Sequence, residues 1–541
     1  MQAQTKPRFR IGSDGSNARQ VMPPMGRSGA GSFFMREQHN PFFYSWTPAL
    51  RDQRDDVRQG YWYAAARTID MMHNSGWISG AVDQAIVNMI GDGLRLAAKP
   101  DADALGWTKE TADKWARDVE RRFEAYAGNP VEVDASGKQT LGQLTRAGVM
   151  SFFSHGEILG LMPRLNNPFA KTRLKLKLLP AHKLRQDSNG FDMYQGVIMT
   201  MWGFPLAYKI MLRIQQWDVE FPEIVPARDN VGRRQVMHVF DGLASQVRGI
   251  SPLASALKVI RQFENLADAT LQAALIQAIF AATVQSDSPT NDVLQALQDD
   301  EEQGVGVGNM DSLLSAKTGW YESTKIDLGR GGKIAHLFPG EKLQFNGSET
   351  PNDNYEAFSK MLLREVARGI GVTYETMTGD YSGATYSSVR MATSETWPTT
   401  VYRRKHIAAP LCQQVYVGWL DEQIETGEIK FPGGVEGFRE KEASASIADW
   451  RGPPKPQADD LKTQKAYQGY KAMGVMTDEQ ICAELGSDWE MTYEQREREM
   501  KLRKKLGLPE GDVDQAAQDD RLSDQLATQR EDDSGNQNNG D

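Results

Sequence analysis

Apolar positions between Tyr61 and Ile90 recur at helical spacing and are interrupted at Asn74-Ser75-Gly76, which predicts two helices joined by a turn. Residues 107–126 form a charged amphipathic pattern with Trp115, Val119 and Phe123 on one face, and Leu141 to Phe153 reads as a further helix. The period then changes. Residues 173–179 alternate basic and apolar side chains, so a strand is expected there. Stretches 196–202 and 206–214 flank Gly203-Phe204-Pro205 and predict a hairpin, and Val236 to Phe240 predicts another strand. After Pro252 neither Gly nor Pro occurs until Pro289, and Leu257, Ile260, Phe263, Leu266, Leu271, Leu275 and Ile279 keep a helical period. A helix of about 30 residues would run about 45 Å.

Residues 290–348 are acidic, contain Gly and lack a sustained period, like a small module of their own. Helical spacing returns from Asp353 to Gly369. Tyr355, Phe358, Leu362 and Val366 share one face there, and Glu356, Lys360, Arg364 and Arg368 form an i, i+4 row along another. Gly379 to Thr385 is loop-like. Tyr386 to Glu425 is a long helical pattern broken by Pro398 and Pro410, each of which removes a backbone donor and forces a kink. Pro453, Pro454 and Pro456 mark a linker, and 459–506 reads as a charged helical terminal unit.

Composition narrows the class of protein. The chain has 541 residues, 25% charged and 40% hydrophobic, with a net charge of -10. Its length suggests about three or four domains, and its acidity excludes coating of nucleic acid by bulk positive charge. Cys412 and Cys482 are too few for a disulfide framework. Residues 1–32 carry five Lys/Arg and one Asp, and 510–541 carry ten Asp/Glu and two Arg, so both ends are expected to be disordered; they either dock partners during assembly or are simply solvated, and they read as the second. No secretory signal is expected, because the basic N-terminus has no apolar core. The uncharged stretch Ala269 to Ser286 is only two-thirds apolar, so it reads as a helix buried against protein rather than a membrane span.

Candidate chemistry is sparse. His39, His73, His155, His182, His238, His336 and His406 are scattered, and neither HExxH nor CxxC occurs. The glycines at 304, 306 and 308, and those at 329, 331 and 332 ahead of Lys333, do not form a phosphate-cradling loop. The second group has Asp327 where the first glycine belongs and Ile334 after the lysine. Ser154-His155-Gly156-Glu157 reads as a surface loop rather than a catalytic cluster. The basic edge Lys171, Arg173, Lys175 and Lys177 either meets a phosphate backbone or faces water and discourages edge pairing; it reads as the second. No catalytic, cofactor or metal residue is expected. The residues by themselves describe a large acidic scaffold, not an enzyme.

Four stretches go further. One is 340–390, with Asn354-Tyr355-Glu356-Ala357-Phe358, Gly371-Val372, Thr378-Gly379-Asp380-Tyr381-Ser382-Gly383 and Tyr386-Ser387-Ser388. The second is Val236-Met237-His238-Val239-Phe240 followed by Gln246-Val247-Arg248-Gly249-Ile250-Ser251-Pro252-Leu253. The third is Gly80-Ala81-Val82-Asp83 with Asn88 and Gly91-Asp92-Gly93-Leu94, and the fourth is Leu141 to Glu157, ending His155-Gly156-Glu157. In type and order these stretches resemble the lambda-type family of tailed-phage portal proteins, over about residues 60–430.

The resemblance implies an α+β, mostly α, portal-type fold: a mixed α/β wing over 33–252, a stem helix over 253–282, a small α/β clip over 283–350 and a second stem helix over 351–371. A tunnel loop (372–385), a kinked wing helix (386–430) and a helical crown or C-terminal region (431–509) would come next, with a basic arm (1–32) and an acidic tail (510–541) at the ends. It implies a ring, normally of twelve copies, at one capsid vertex of the virion, assembled in the bacterial host cytoplasm. Double-stranded DNA would pass through its channel during packaging and ejection. The partners implied are other copies of the chain, the DNA, the terminase large subunit, the head-tail connector, and scaffold and major capsid protein, with no cofactor and no membrane span. Asp380, Tyr381, Ser382, Gly383 and Ala384 would form the tunnel loop, unless they are an ordinary helix-entry loop capped by Thr385 or Ser387. Lys360, Arg364 and Arg368 would face DNA, unless they pair with acids of a neighbouring stem helix. Leu275, Ile276 and Ile279 would meet the adjacent subunit. The rival functions are a tail or baseplate adaptor ring without DNA guidance, and a packaging nuclease or translocase.

Overall fold

The computed structural model describes residues 49–214, 219–279, 282–286, 319, 325–327, 333–335, 341–345, 354–456, 460–487 and 489–508. The two charged ends, the glycines 304–308 and 329–332, and most of 283–350 lie outside the described residues. The chain divides into Met1–Asp52 and Gln53–Asp541, and almost all of the described structure is in the second unit.

Helices Gln53–Asn74 and Gly76–Ile90 meet at Ser75, where the pattern broke. They pack with helix Leu141–His155 and with helix Ala409–Glu425 into one core. Local chemistry starts these helices where it should. Thr140 and Gln143 form a capping box at Leu141, and Thr108 caps Lys109–Gly128, each cap contributing about 1 kcal/mol. Val119 and Phe123 are buried, and the Phe123 ring meets Tyr416, Trp419 and Trp450 edge-on.

Antiparallel sheets lie beside this helical core. Glu157–Leu161 is the centre strand between Lys177–Leu179 and Val236–Phe240. Met193–Tyr194, Val197–Met199, Pro205–Ile214 and Val219–Pro226 form a meander, including the expected hairpin. Arg95–Ala98 pairs with the distant Ala448–Arg451, which ties the end of the core to its beginning. The fold is mixed α/β, with long helices and small sheets.

Three expectations need correction. The helix after Pro252 is shorter than its pattern: a 3-10 turn over Pro252–Ser255 precedes Leu257–Ile279, a helix of 23 residues. Ala282–Ser286, expected to continue it, is instead a strand paired with Glu341–Phe345. Thr283 and Val284 are β-branched and favour that state. The basic edge at 171–177 is solvated at Lys171, Arg173 and Lys177 but not at Lys175. Lys175 is 2% exposed, and its ammonium donates to the carbonyls of Val131 (2.9 Å) and Glu132 (2.7 Å). The two strands at 282–286 and 341–345 bring together the chain leaving helix Leu257–Ile279 and the chain approaching helix Asn354–Ile370, and these two helices pack on each other.

The proline-interrupted pattern becomes helix Tyr386–Arg403 with Pro398 inside it, a π-helical segment Arg404–Ala408, and helix Ala409–Glu425. Pro410 cannot donate to His406, and its ring crowds that carbonyl, so the turn ahead of it widens. The 459–506 pattern resolves into helices Asp460–Ala472, Asp478–Glu484 and Trp489–Leu506. No helix among the described residues is long and apolar enough to cross a membrane.

Candidate functional site

Helix Asn354–Ile370 buries Ser359, Leu362, Leu363, Val366, Ala367 and Ile370. Phe358, expected on that face, is 49% exposed, because the core stripe is turned toward Leu363 and Ala367. The basic row lies on the outer side, and its three members have different surroundings. Lys360 donates to Glu356 at 2.6 Å and lies 3.7 Å from Asp380; the Glu356 hydrogen bond and both carboxylates raise its pKa. The Arg364 guanidinium sits 5.4 Å from the centre of the Tyr374 ring. Arg368 is exposed, with no ion pair or hydrogen bond of its side chain found among the described residues. Lys360 therefore already has two acidic neighbours within its own chain.

The chain then turns. Gly371 adopts φ +91°, a short helix Tyr374–Thr378 occupies part of the expected loop, and Gly379 ends it at φ +69°. Asp380 organises the loop beyond that glycine: its carboxylate accepts from the Ser382 amide (3.0 Å) and hydroxyl (2.6 Å). Those bonds first, and Lys360 after them, hold its pKa below the usual carboxylate value. Tyr381 is 55% exposed, Ser382 and Gly383 are exposed, and Ala384 is half-buried. Thr385 caps the next helix in a reciprocal pair with Ser388.

Both ends of this loop region are fastened. Arg403, at the far end of helix Tyr386–Arg403, donates to the carbonyl of Ile370. Arg404 donates to the carbonyls of Met89 (2.7 Å), Asn88 (3.0 Å) and Pro453 (2.8 Å). Between these anchors, Tyr386–Arg403 buries little apart from Thr400 and leaves Met391 65% exposed. On helix Leu257–Ile279, Leu271 and Leu275 are 60% and 56% exposed; the side chains of Ile276 and Ile279 lie outside the described residues.

One charged cluster lies elsewhere than the sequence suggests. Ser154-His155-Gly156-Glu157 is not a surface loop. Ser154 and His155 are buried, and Glu157 is wholly so. Glu157 accepts from the Arg248 guanidinium (2.9 Å), the Tyr61 hydroxyl (2.8 Å), the His238 ring (2.9 Å) and the Gly249 amide (3.0 Å). Burial alone would raise its pKa; Arg248 and His238 overcome that and hold it well below the usual carboxylate range. Arg248 is wholly buried too. It donates further to the carbonyls of Ala181, Leu184 and Gln195, and stands 4.6 Å from the Tyr61 ring centre. Thus two of the four family-like stretches, separated by 91 positions, meet at one ion pair. Nothing in the spacing of a single sequence signals that contact.

Among the described residues no group of three or more His, Cys, Asp or Glu could hold a metal ion. The arrangement offers an exposed loop held at both ends and long helices with uncovered apolar side chains.

The lambda-family phage portal protein model matches residues 39–404. The portal protein of Escherichia phage N15 is 27% identical over 473 residues, covering 86% of this chain and 88% of that protein. Portal protein B of Escherichia phage lambda is 26% identical over 484 residues, with the same shares. Among solved structures, a chain from the "Neck of empty GTA particle computed with C6 symmetry" aligns at 14% identity, over 78% of this chain and 93% of that one, with a TM-score of 0.44. That last similarity is too distant to carry functional detail. With a family model matched over more than half its length, the chain belongs to the lambda family of phage portal proteins.

Proposed function

We propose that this chain performs the portal role by closing into a ring, of twelve copies on the family resemblance, at one capsid vertex. Double-stranded DNA passes through the bore during packaging and ejection. The terminase large subunit docks on the ring first and head-tail connector proteins later, and scaffold and major capsid protein seat it in the shell. The observation that carries the reading is the family match over residues 39–404.

Physical features of the subunit agree with it. Leu271, Leu275, Phe358 and Met361 are each about half exposed or more on the isolated chain. Covering such side chains against an adjacent copy gains about 25 cal/mol for each Å² of apolar surface removed from water, and a head-to-tail contact of this kind closes by rotation. A channel must also hold a polyanion without gripping it, since many fixed cations give tight, salt-sensitive binding. An acidic subunit keeps the average field repulsive. In this reading Arg364 and Arg368 give local guidance, whereas Lys360, already beside Glu356 and Asp380, tethers the loop. Residues 380–384 line the constriction, with Tyr381 toward the duplex.

The test has two parts. Leu275→Asp should leave a folded subunit that no longer closes into rings by negative-stain microscopy; intact rings would remove this face from the interface. Deleting residues 381–384 should preserve rings but impair retention of packaged DNA. Normal packaging and retention in that variant would remove the loop from the mechanism.

A further inference from the structure

Arg164, Arg228, Arg233, Arg234 and Arg439 line a single cavity of about 40 Å³, and the acids in its wall are Asp421 and Glu442. Four separate parts of the fold build it. Arg164 lies just past strand Glu157–Leu161. Arg228, Arg233 and Arg234 flank the turn between strands Val219–Pro226 and Val236–Phe240, a turn closed by the Arg228–Arg234 bridge. Asp229 fixes that turn by accepting from the amides of Val231 (2.9 Å) and Arg233 (2.8 Å). Arg439 comes from helix Gly434–Glu440, and Asp421 from helix Ala409–Glu425.

The wall itself holds five cations and two acids. Asp421 lies 2.7 Å from Nε of Arg233 and 2.7 Å from Nε of Arg439, but 3.5 Å from Arg164. Glu425, outside the wall, takes the other side of Arg233 at 2.7 Å. Asp421 accepts hydrogen bonds from Arg439 and, at 3.5 Å, from Arg164, while its close approach to Arg233 is an ion pair without hydrogen-bond geometry. Arg164 Nε and Arg233 Nε are both buried with no hydrogen-bond partner. Arg234 has no ion pair or hydrogen bond of its side chain among the described residues. The Arg164 and Arg234 guanidiniums are held below the ordinary arginine range, chiefly by burial and then by a second arginine, Arg233 beside Arg164 and Arg228 beside Arg234, while Asp421 and Glu442 respectively act the other way. Two buried donors without an acceptor, in a wall of five guanidiniums and two carboxylates, favour an anion in this space.

We propose that this cavity is a phosphate-binding site, with Arg164 and Arg233 supplying the unpartnered Nε donors and Arg234 and Arg439 completing the cationic wall. Donors converge from three directions, which suits a tetrahedral oxyanion better than a planar carboxylate. A cavity of about 40 Å³ has room for about three waters. That admits a phosphate group but excludes a base or sugar behind it, so the phosphate is either free in solution or presented at the mouth by a nucleic-acid backbone. The proposal does not depend on ring assembly or on the tunnel loop.

The experiment is isothermal titration of the full-length protein with inorganic phosphate in a chloride buffer at fixed ionic strength. Saturable binding is expected. Arg234→Gln, a change at an exposed side chain, should weaken it by about tenfold or more, the loss of one charge-assisted contact. Arg164→Gln should do the same, with unchanged circular dichroism confirming the fold of each variant. Competition with a short DNA duplex then separates the sources. Duplex binding that phosphate displaces, and that Arg234→Gln weakens, assigns the site to backbone phosphate; phosphate binding indifferent to duplex assigns it to the free ion. No saturable phosphate binding, or binding equally tight in both variants, overturns the proposal.

Discussion

Arg248→Met puts the buried ion pair to the test. The substitution keeps an apolar stem of similar length and removes the cation. Glu157 remains wholly buried, with only Tyr61, His238 and the Gly249 amide as donors. The carbonyls of Ala181, Leu184 and Gln195 lose a charged donor at the same time. Stranding one member of a buried pair costs about 3–5 kcal/mol. A second estimate bounds the charge part: taking up a proton at pH 7 on a carboxyl whose ordinary value is 4.5 costs about 3 kcal/mol. The orphaned carbonyls add to that, so the expected loss is about 4 kcal/mol, a large share of the 5–15 kcal/mol typical of a folded domain. Urea unfolding followed by tryptophan fluorescence would measure it, with the wholly buried ring of Trp419 near the core centre as reporter. Glu157→Gln should also be costly, because it strands Arg248. The double variant Glu157→Gln/Arg248→Met should be at least about 2 kcal/mol more stable than the sum of the single losses predicts, since neither charge is then left alone. A loss under about 1 kcal/mol for Arg248→Met, or strict additivity in the double variant, would refute the reasoning.

Two further outcomes concern the same region. A Cβ at Gly249 would come within 2.1 Å of the Gly156 carbonyl oxygen, so Gly249→Ala must push two backbones apart; a loss of several kcal/mol, or failure to fold in soluble form, is expected on expression and urea unfolding. His155 is pushed down to about 4 by burial and by His182, whose ring nitrogen lies 3.2 Å away. The folded chain therefore keeps His155 neutral while the unfolded chain protonates it near 6.5. Its contribution is present above pH 6.5 and is lost progressively as pH falls toward 4, by up to about 3 kcal/mol. His155→Asn should flatten that part of the stability profile between pH 7 and 5, and an unchanged profile would remove His155 as its source.

The amino-acid order by itself determined most of the helices. The break at Asn74-Ser75-Gly76, the strand Val236–Phe240, the helix entry at Thr385 and the interruption around Pro410 are local events, set by spacing, caps and missing donors within a few residues. Family membership was legible too, because four short stretches occur in the family's order. The path after Ile279 was not legible, since an uncharged Ala/Leu/Ile/Gln run suits either state and the strand at 282–286 exists through its partner at 341–345. Nor was the burial of Lys175, Glu157 and Arg248. A charged residue reads as solvated until the fold brings it a partner, and here the partners are 43, 91 and 91 positions away. The five-arginine cavity is of the same kind: its members are ordinary surface residues in sequence, and only the meeting of a turn, a strand end and two helices gathers them around one space. Periodicity records which face of an element turns inward; the surface that face meets is decided by contacts between elements, which a single sequence does not encode in its spacing.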